Sequence, residues 1–330
     1  MSGSETGLGA LANYRLAADR ATRDKPHKRP GKSPSPSPSS TAPSPAPSAG
    51  TLAPSPTAAP RTAAPSAGVT PTVSPSITST GGTVGTPSPT SSPAVAGGPP
   101  PAPGPWGLVF ADDFTGTSLD LTRWRPNWLA GSASAVTAPV NTSEKSCYDP
   151  AQVSVAAGVL RLAAVARSCR ANNGLTYSYA SGLVQSDVGF HFTYGYMEAR
   201  MFLPGGGSGH AGTPANWPAF WSNGQDWPTT GEIDVMEVLG DDTCWHFHYS
   251  GGAPGGCPWY DGRAGWHTFG ADWQQDRITF YYDGVQVGQI TSGVTGAAHY
   301  LILNLALSGS EVIVPSTVLV DYVKVWQRTG

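Results

Sequence analysis

From Gln152 to Gln327 apolar and polar residues alternate in short runs, with glycine, proline, asparagine and aspartate in the gaps. Alternation with a period of two is the pattern of a strand that buries one face. The runs are Gln152–Val155, Val159–Ala166, Gly182–Ser186, Phe190–Leu203, Gly231–Val238, Trp245–Tyr249, Trp266–Trp273, Arg277–Tyr282, Tyr300–Leu307 and Val318–Gln327. Asp283-Gly284, between Tyr282 and Val285, marks a hairpin. No long helical period interrupts the series. The pattern predicts an all-β sandwich or jelly roll.

These runs occupy only part of the chain. Residues 1–104 hold 21 of the 32 prolines, no tryptophan and no cysteine. Such a stretch cannot bury enough apolar surface to offset its ordering entropy, so 1–104 is expected to be a disordered Pro/Ser/Thr/Ala-rich tether. Residues 105–330 are then the folded domain, long enough for one sizeable core. Charge divides at the same place: 8 Lys+Arg against 3 Asp+Glu before it, 11 against 19 after it. An acidic domain without a basic patch argues against a nucleic-acid partner. No apolar stretch of about 18 residues is present to span a membrane. Nor is there a secretory apolar core, so either export is unconventional or the true start, with a signal or anchor, lies upstream of Met1; the second is expected. A monomer is expected.

All four cysteines, Cys147, Cys169, Cys244 and Cys257, lie in the domain. None forms Cys-x-x-Cys, which disfavours zinc. An even number suits two disulfides and an extracellular or cell-surface location. Three pairings are open; Cys147–Cys169 and Cys244–Cys257 enclose the shortest loops.

The densest chemistry is in Gly231-Glu232-Ile233-Asp234-Val235-Met236-Glu237-Val238-Leu239-Gly240. On a regular strand Glu232 and Asp234 share a face, whereas Glu237, three residues on, points the other way. A β-bulge at Val235-Met236 would bring it back. Glu232 and Glu237 would then stand about 13 Å apart along the backbone. Side chains leaning together would leave about 5 Å between carboxyls, the spacing of a retaining glycosidase pair. Three acids on one short apolar-backed strand repel, so the cluster implies a shared proton, a metal or an incoming substrate.

Neighbouring segments fit a sugar-binding cleft. Asn216-Trp217-Pro218-Ala219-Phe220-Trp221 precedes the acids, and Trp227-Pro228 lies close by. In Tyr194–Leu203, Met197, Ala199, Met201 and Leu203 form a core face, with Tyr196, Glu198 and Arg200 opposite. In Trp245–Tyr249, His246 and His248 share a face, suited to hydrogen bonding a carboxylate or a sugar.

Taken in order, Phe190–Leu203, the Trp-Pro-Ala-Phe-Trp segment, the acidic strand, His246-Phe247-His248-Tyr249, Leu301–Ser308 and Val320–Gln327 resemble glycoside hydrolase family 16, in its laminarinase-like branch. The likeness covers 105–330 and none of 1–104. It implies a concanavalin-like β-jelly roll with an open concave glycan cleft. By position it implies Glu232 as nucleophile, Glu237 as acid/base and Asp234 as the helper between them. Trp217, Trp221, Glu198, Arg200, His248 and Asn304 would line the cleft. No cofactor is required, although Asp113 and Asp321 sit near positions that hold a structural calcium in the family. There are departures: Cys244-Trp245-His246-Phe247-His248 replaces a pattern nearer His-Gly-Thr-x-His, and the loop Ser250–Pro258 is inserted. The resemblance implies an endo-β-glycanase acting on β-1,3-glucan. A transglycosylase and a non-catalytic lectin are the alternatives on the same scaffold.

Overall fold

The structure is a computed structural model describing residues 101, 103–206, 212–259, 263–309 and 311–330. The expected tether, but for its last residues, lies outside them. Among the described residues the strands form a ten-stranded sheet, a six-stranded sheet and a two-stranded ribbon. The six-stranded sheet runs Gly255–Trp259, Asp242–His248, Glu232–Leu239, Trp217–Gly224, His299–Ala306 and Leu183–Gln185, each antiparallel to the next. The spine of the larger sheet is Gly265–Trp273, Gly195–Leu203, Ser316–Arg328 and Val159–Val165. Along that spine neighbours in space are distant in sequence, the crossing order of a jelly-roll sandwich.

Alternation decides which side chains meet between the sheets. Met197, Ala199, Met201 and Leu203 turn inward from the larger sheet and are fully buried. They share one core with Phe220, Ile233, Val238 and Leu303 from the smaller sheet. Cutting one such buried methionine to alanine costs about 2–5 kcal/mol, a large share of a domain's stability. A second cluster, including Trp128, Tyr148, Leu183, Trp221 and Ile302, lies on the other face of the six-stranded sheet. It walls one side of the face that bears the acids.

Several strands depart from expectation: Trp106–Asp112 is not among the expected runs, Gly255–Trp259 forms within the expected loop Ser250–Pro258, and two others have a local cause. The run Phe190–Leu203 becomes a strand only at Gly195, because Tyr194 (φ 58°) and Gly195 (φ 137°) turn the backbone through the left-handed region. A Cβ on Gly195 would lie 2.4 Å from the Trp326 carbonyl oxygen, so only glycine fits. Trp217–Gly224 is a central strand that alternation does not reveal. Its Pro218 argues against an interior strand, but it is the second residue, where the strand is only beginning. The disulfides are Cys147–Cys169 and Cys244–Cys257, the pairs with the shortest loops. The second ties Asp242–His248 to the edge strand Gly255–Trp259.

Candidate active site

The acidic strand does bulge. Against Trp217–Gly224, Asp234 pairs with Trp221 and Glu237 with Ala219; against Asp242–His248, they pair with His246 and Cys244. Three steps on the acidic strand therefore match two on each neighbour. The surplus is absorbed at Val235-Met236, and both of those side chains enter the core. Glu232, Asp234 and Glu237 consequently share the outer face. Each is nearly buried, at 7%, 6% and 5% exposure.

Burying three acids together is costly unless protons or donors offset it. Burial, then the charge of Glu237, raises the pKa of Asp234; the hydrogen bond and charge of His248 pull against them. His248 Nε2 lies 3.0 Å from Asp234 Oδ2 and 3.7 Å from Glu232 Oε1. Burial works against a charge on His248, but Glu232, Asp234 and Glu237 outweigh it and raise its pKa to about 9. The imidazolium thus balances part of the negative charge at neutral pH. Glu237 is held on both oxygens: Trp217 Nε1 donates to Oε2 at 3.0 Å, and His246 Nδ1 lies 2.6 Å from Oε1. His246 has room because Gly255 stands beside it. A Cβ there would come within 1.9 Å of the imidazole Cδ2.

Along the same face, Trp221 Nε1 donates to Asn304 Oδ1 at 2.8 Å, and Asn304 Nδ2 donates to the Tyr148 hydroxyl at 2.9 Å. That hydroxyl donates in turn to the buried Glu144 carboxylate. Trp128 stacks on Trp221 with ring centres 5.6 Å apart. The structure therefore gathers Trp217, Trp221, His248 and Asn304 around the three acids. It adds His246, Trp128, Tyr148 and Glu144. His246 was legible, since it shares a face with His248. The other three come from a segment with no strand pattern of its own, and nothing local in the sequence points to them.

Glu198 and Arg200 require a correction, because they are not in this cleft. They lie on Gly195–Leu203 in the other sheet and point away from the core that separates the two faces. Glu198 accepts from the Tyr196 and Tyr322 hydroxyls at 2.9 and 2.8 Å. Arg200 pairs with Asp321 at 2.8 Å and lies over the Trp266 ring. Alternation names the face of a strand correctly, but which sheet the strand joins is decided by distant pairing.

Asp321 is therefore already neutralised by a guanidinium, and Asp113 accepts from the Thr115 hydroxyl at 3.3 Å. Among the described residues, no group of three potential metal-ligating side chains includes either aspartate. Two such groups lie among the acids, Glu232–Asp234–His248 and Asp234–Glu237–His246, each with its ligand atoms within 4.8 Å. His246 and His248 already engage Glu237 and Asp234 there, which accounts for the convergence without a metal. The second group also puts Asp234 within reach of Glu237, as the first puts it within reach of Glu232. Asp234 stands between the two glutamates.

The chain as a whole is similar to known proteins. The chain is 27% identical over 266 residues to glucan endo-1,3-beta-glucosidase A1 of Niallia circulans, covering 67% of this chain and 38% of that protein. It is 27% identical over 248 residues to endo-1,3-1,4-beta-glycanase EglC of Rhizobium meliloti (strain 1021), covering 66% of this chain and 51% of that protein. The chain thus spans about half the length of these curated relatives, or less. The solved endo-beta-1,3-glucanase of Pyrococcus furiosus superposes with a TM-score of 0.55 at 25% identity, covering 68% of this chain and 95% of that one. Residues 143–308, which contain the acidic strand and its five sheet neighbours, match the family described as glycosyl hydrolases family 16, and the chain belongs to that family.

Proposed function

We propose that this protein is a retaining endo-β-glycanase that hydrolyses β-1,3-linked glucan, with Glu232 as nucleophile, Glu237 as acid/base and Asp234 as the helper between them. The observation that carries the reading is the bulge at Val235-Met236. It places the three acids on one face beside the half-buried Trp217, whose ring offers a sugar an apolar platform, and beside the buried Trp221 that packs under Trp128. In the first step Glu232 attacks the anomeric carbon while Glu237 protonates the departing glycosidic oxygen. In the second, Glu237 as carboxylate takes a proton from water, and the water oxygen displaces Glu232. Both steps balance with carboxylates and water, so no cofactor enters them. A calcium on Asp113 and Asp321 would serve the fold alone, and would have to compete with Arg200 for Asp321.

The relatives named above support a β-1,3- or mixed-linkage glucan substrate. The two disulfides support an extracellular or cell-surface location, and among the described residues no helix is long and apolar enough to cross a membrane. We read residues 1–104 as the tether of a monomeric enzyme.

The test is reducing-sugar release from laminarin, lichenan, agarose and galactan, with NMR of the first anomer formed. Laminarin should be cut fastest, with retained configuration. Glu232→Gln and Glu237→Gln should each lose nearly all activity while keeping the wild-type melting temperature within a few degrees. Wild-type rates in either variant, or an inverted first product, would refute the assignment.

A further inference from the structure

We propose that His246 is a positioning residue for Glu237: its Nδ1–H, paired with the Trp217 Nε1–H, clamps both carboxyl oxygens and keeps Glu237 able to act as a carboxylate base. The proposal rests on the reading of Glu237 as the acid/base and deepens it. The acid half of the cycle needs a proton on Glu237, which burial and the nearby Asp234 both favour. The base half needs the opposite, a bare carboxylate in the same poorly hydrated site. Something must favour that form, and N–H donors to the oxygens do so.

The geometry supplies two. An indole nitrogen only donates, so the 3.0 Å contact from Trp217 puts an N–H on Oε2. His246 Nδ1 lies 2.6 Å from Oε1, and the Asp234 carboxylate is within 4.8 Å of the same cluster. Between two carboxylates, a ring nitrogen is best used as a donor. The seat is also built: Gly255, on the strand pinned by Cys244–Cys257, leaves space that any side chain would take from the imidazole. Here the sequence departs from the His-Gly-Thr-x-His pattern of the resemblance.

The charged and titratable groups around His246 come from three elements. They are His248 on its own strand, Glu232, Asp234 and Glu237 on the acidic strand, and Tyr282 from the other sheet, whose hydroxyl donates to the Cys244 carbonyl at 2.6 Å. Any apparent value belongs to this cluster, so the test is a difference between variants. His246→Leu removes the N–H at nearly constant volume. His246→Asn restores an amide N–H near the Nδ1 position.

Two readouts are needed, namely the pH profile of kcat/KM on laminarin oligosaccharides and a 13C NMR titration of the glutamate carboxyls, with Glu237 assigned by Glu237→Gln. In His246→Leu the alkaline limb and the Glu237 titration should both rise by about one pH unit, as loss of a donor to a carboxylate predicts. In His246→Asn at least half of that rise should be absent. An unmoved or lowered Glu237 titration in His246→Leu overturns the proposal, and so does an equal rise in both variants. If His246→Leu does not fold, Trp217→Phe removes the other N–H, and an unmoved Glu237 titration there overturns it equally. A wild-type protein that cuts no glycan would sink the proposed function, while the titration still decides the role of His246.

Discussion

His248 and Asp234 meet at 3.0 Å, and the same nitrogen of His248 is 3.7 Å from Glu232, so one imidazolium serves two of the three acids. Its pKa of about 9 keeps it charged across the range in which the carboxylates titrate. His248→Gln deletes that charge. The carboxylates it favours should then hold their protons to higher pH, and the acid limb of kcat/KM should rise by about one unit. Activity at pH 5 should fall more than activity at pH 8. An equal loss at both pH values would mean that His248 only shapes the cleft.

Glu144 lies at the far end of the chain of hydrogen bonds from Trp221. Burial raises its pKa to about 7, against the Tyr148 hydroxyl and the backbone N–H groups of Asn141 and Val140. The folded protein therefore keeps a proton that the unfolded chain releases near pH 4.5. Its contribution to stability is complete below pH 4.5 and is lost as pH rises through about 7. The size is on the order of 3 kcal/mol. Urea midpoints at pH 5 and pH 8 should show this decline in the wild type. In Glu144→Gln the decline should be smaller, whatever the variant's absolute stability. The same decline in both proteins would place the pH dependence elsewhere.

Near the start of the described residues the Pro103 carbonyl accepts from Arg328 Nη1 at 2.7 Å. A chain beginning at Pro103 keeps that bond and every strand of the described residues. It should melt within about a degree of the full protein and cleave soluble glucan at the same rate, as expected if the removed tether contributes no core. A loss of several degrees in a calorimeter would show that the removed residues bind the domain.

Much of this was legible because it is local. The odd spacing of Glu237 after Asp234 demanded a bulge, and the register provides one at Val235-Met236. Alternation placed His246 with His248, and Met197 with Met201, on their proper faces. What failed was long-range. Glu198 and Arg200 were put on the correct face of their strand but in the wrong sheet, since strand partners more than 120 residues away, Lys324 and Tyr322, settle that question. Pro218 concealed the strand that carries Trp217 and Trp221. Glu144 and Tyr148 gained their place only when the fold brought them to Asn304, 156 residues beyond Tyr148.

The meeting of Pro103 with Arg328 also bears on handling the protein. Trp106–Asp112 and Ser316–Arg328, the first and last strands among the described residues, are adjacent members of the ten-stranded sheet, whereas the acids open on the outer face of the six-stranded one. A resin, a surface or a fused partner attached at either end of the sandwich grips it by its back. A long polymer then has an unobstructed approach to the acidic face, and one short strap can fasten both ends at once.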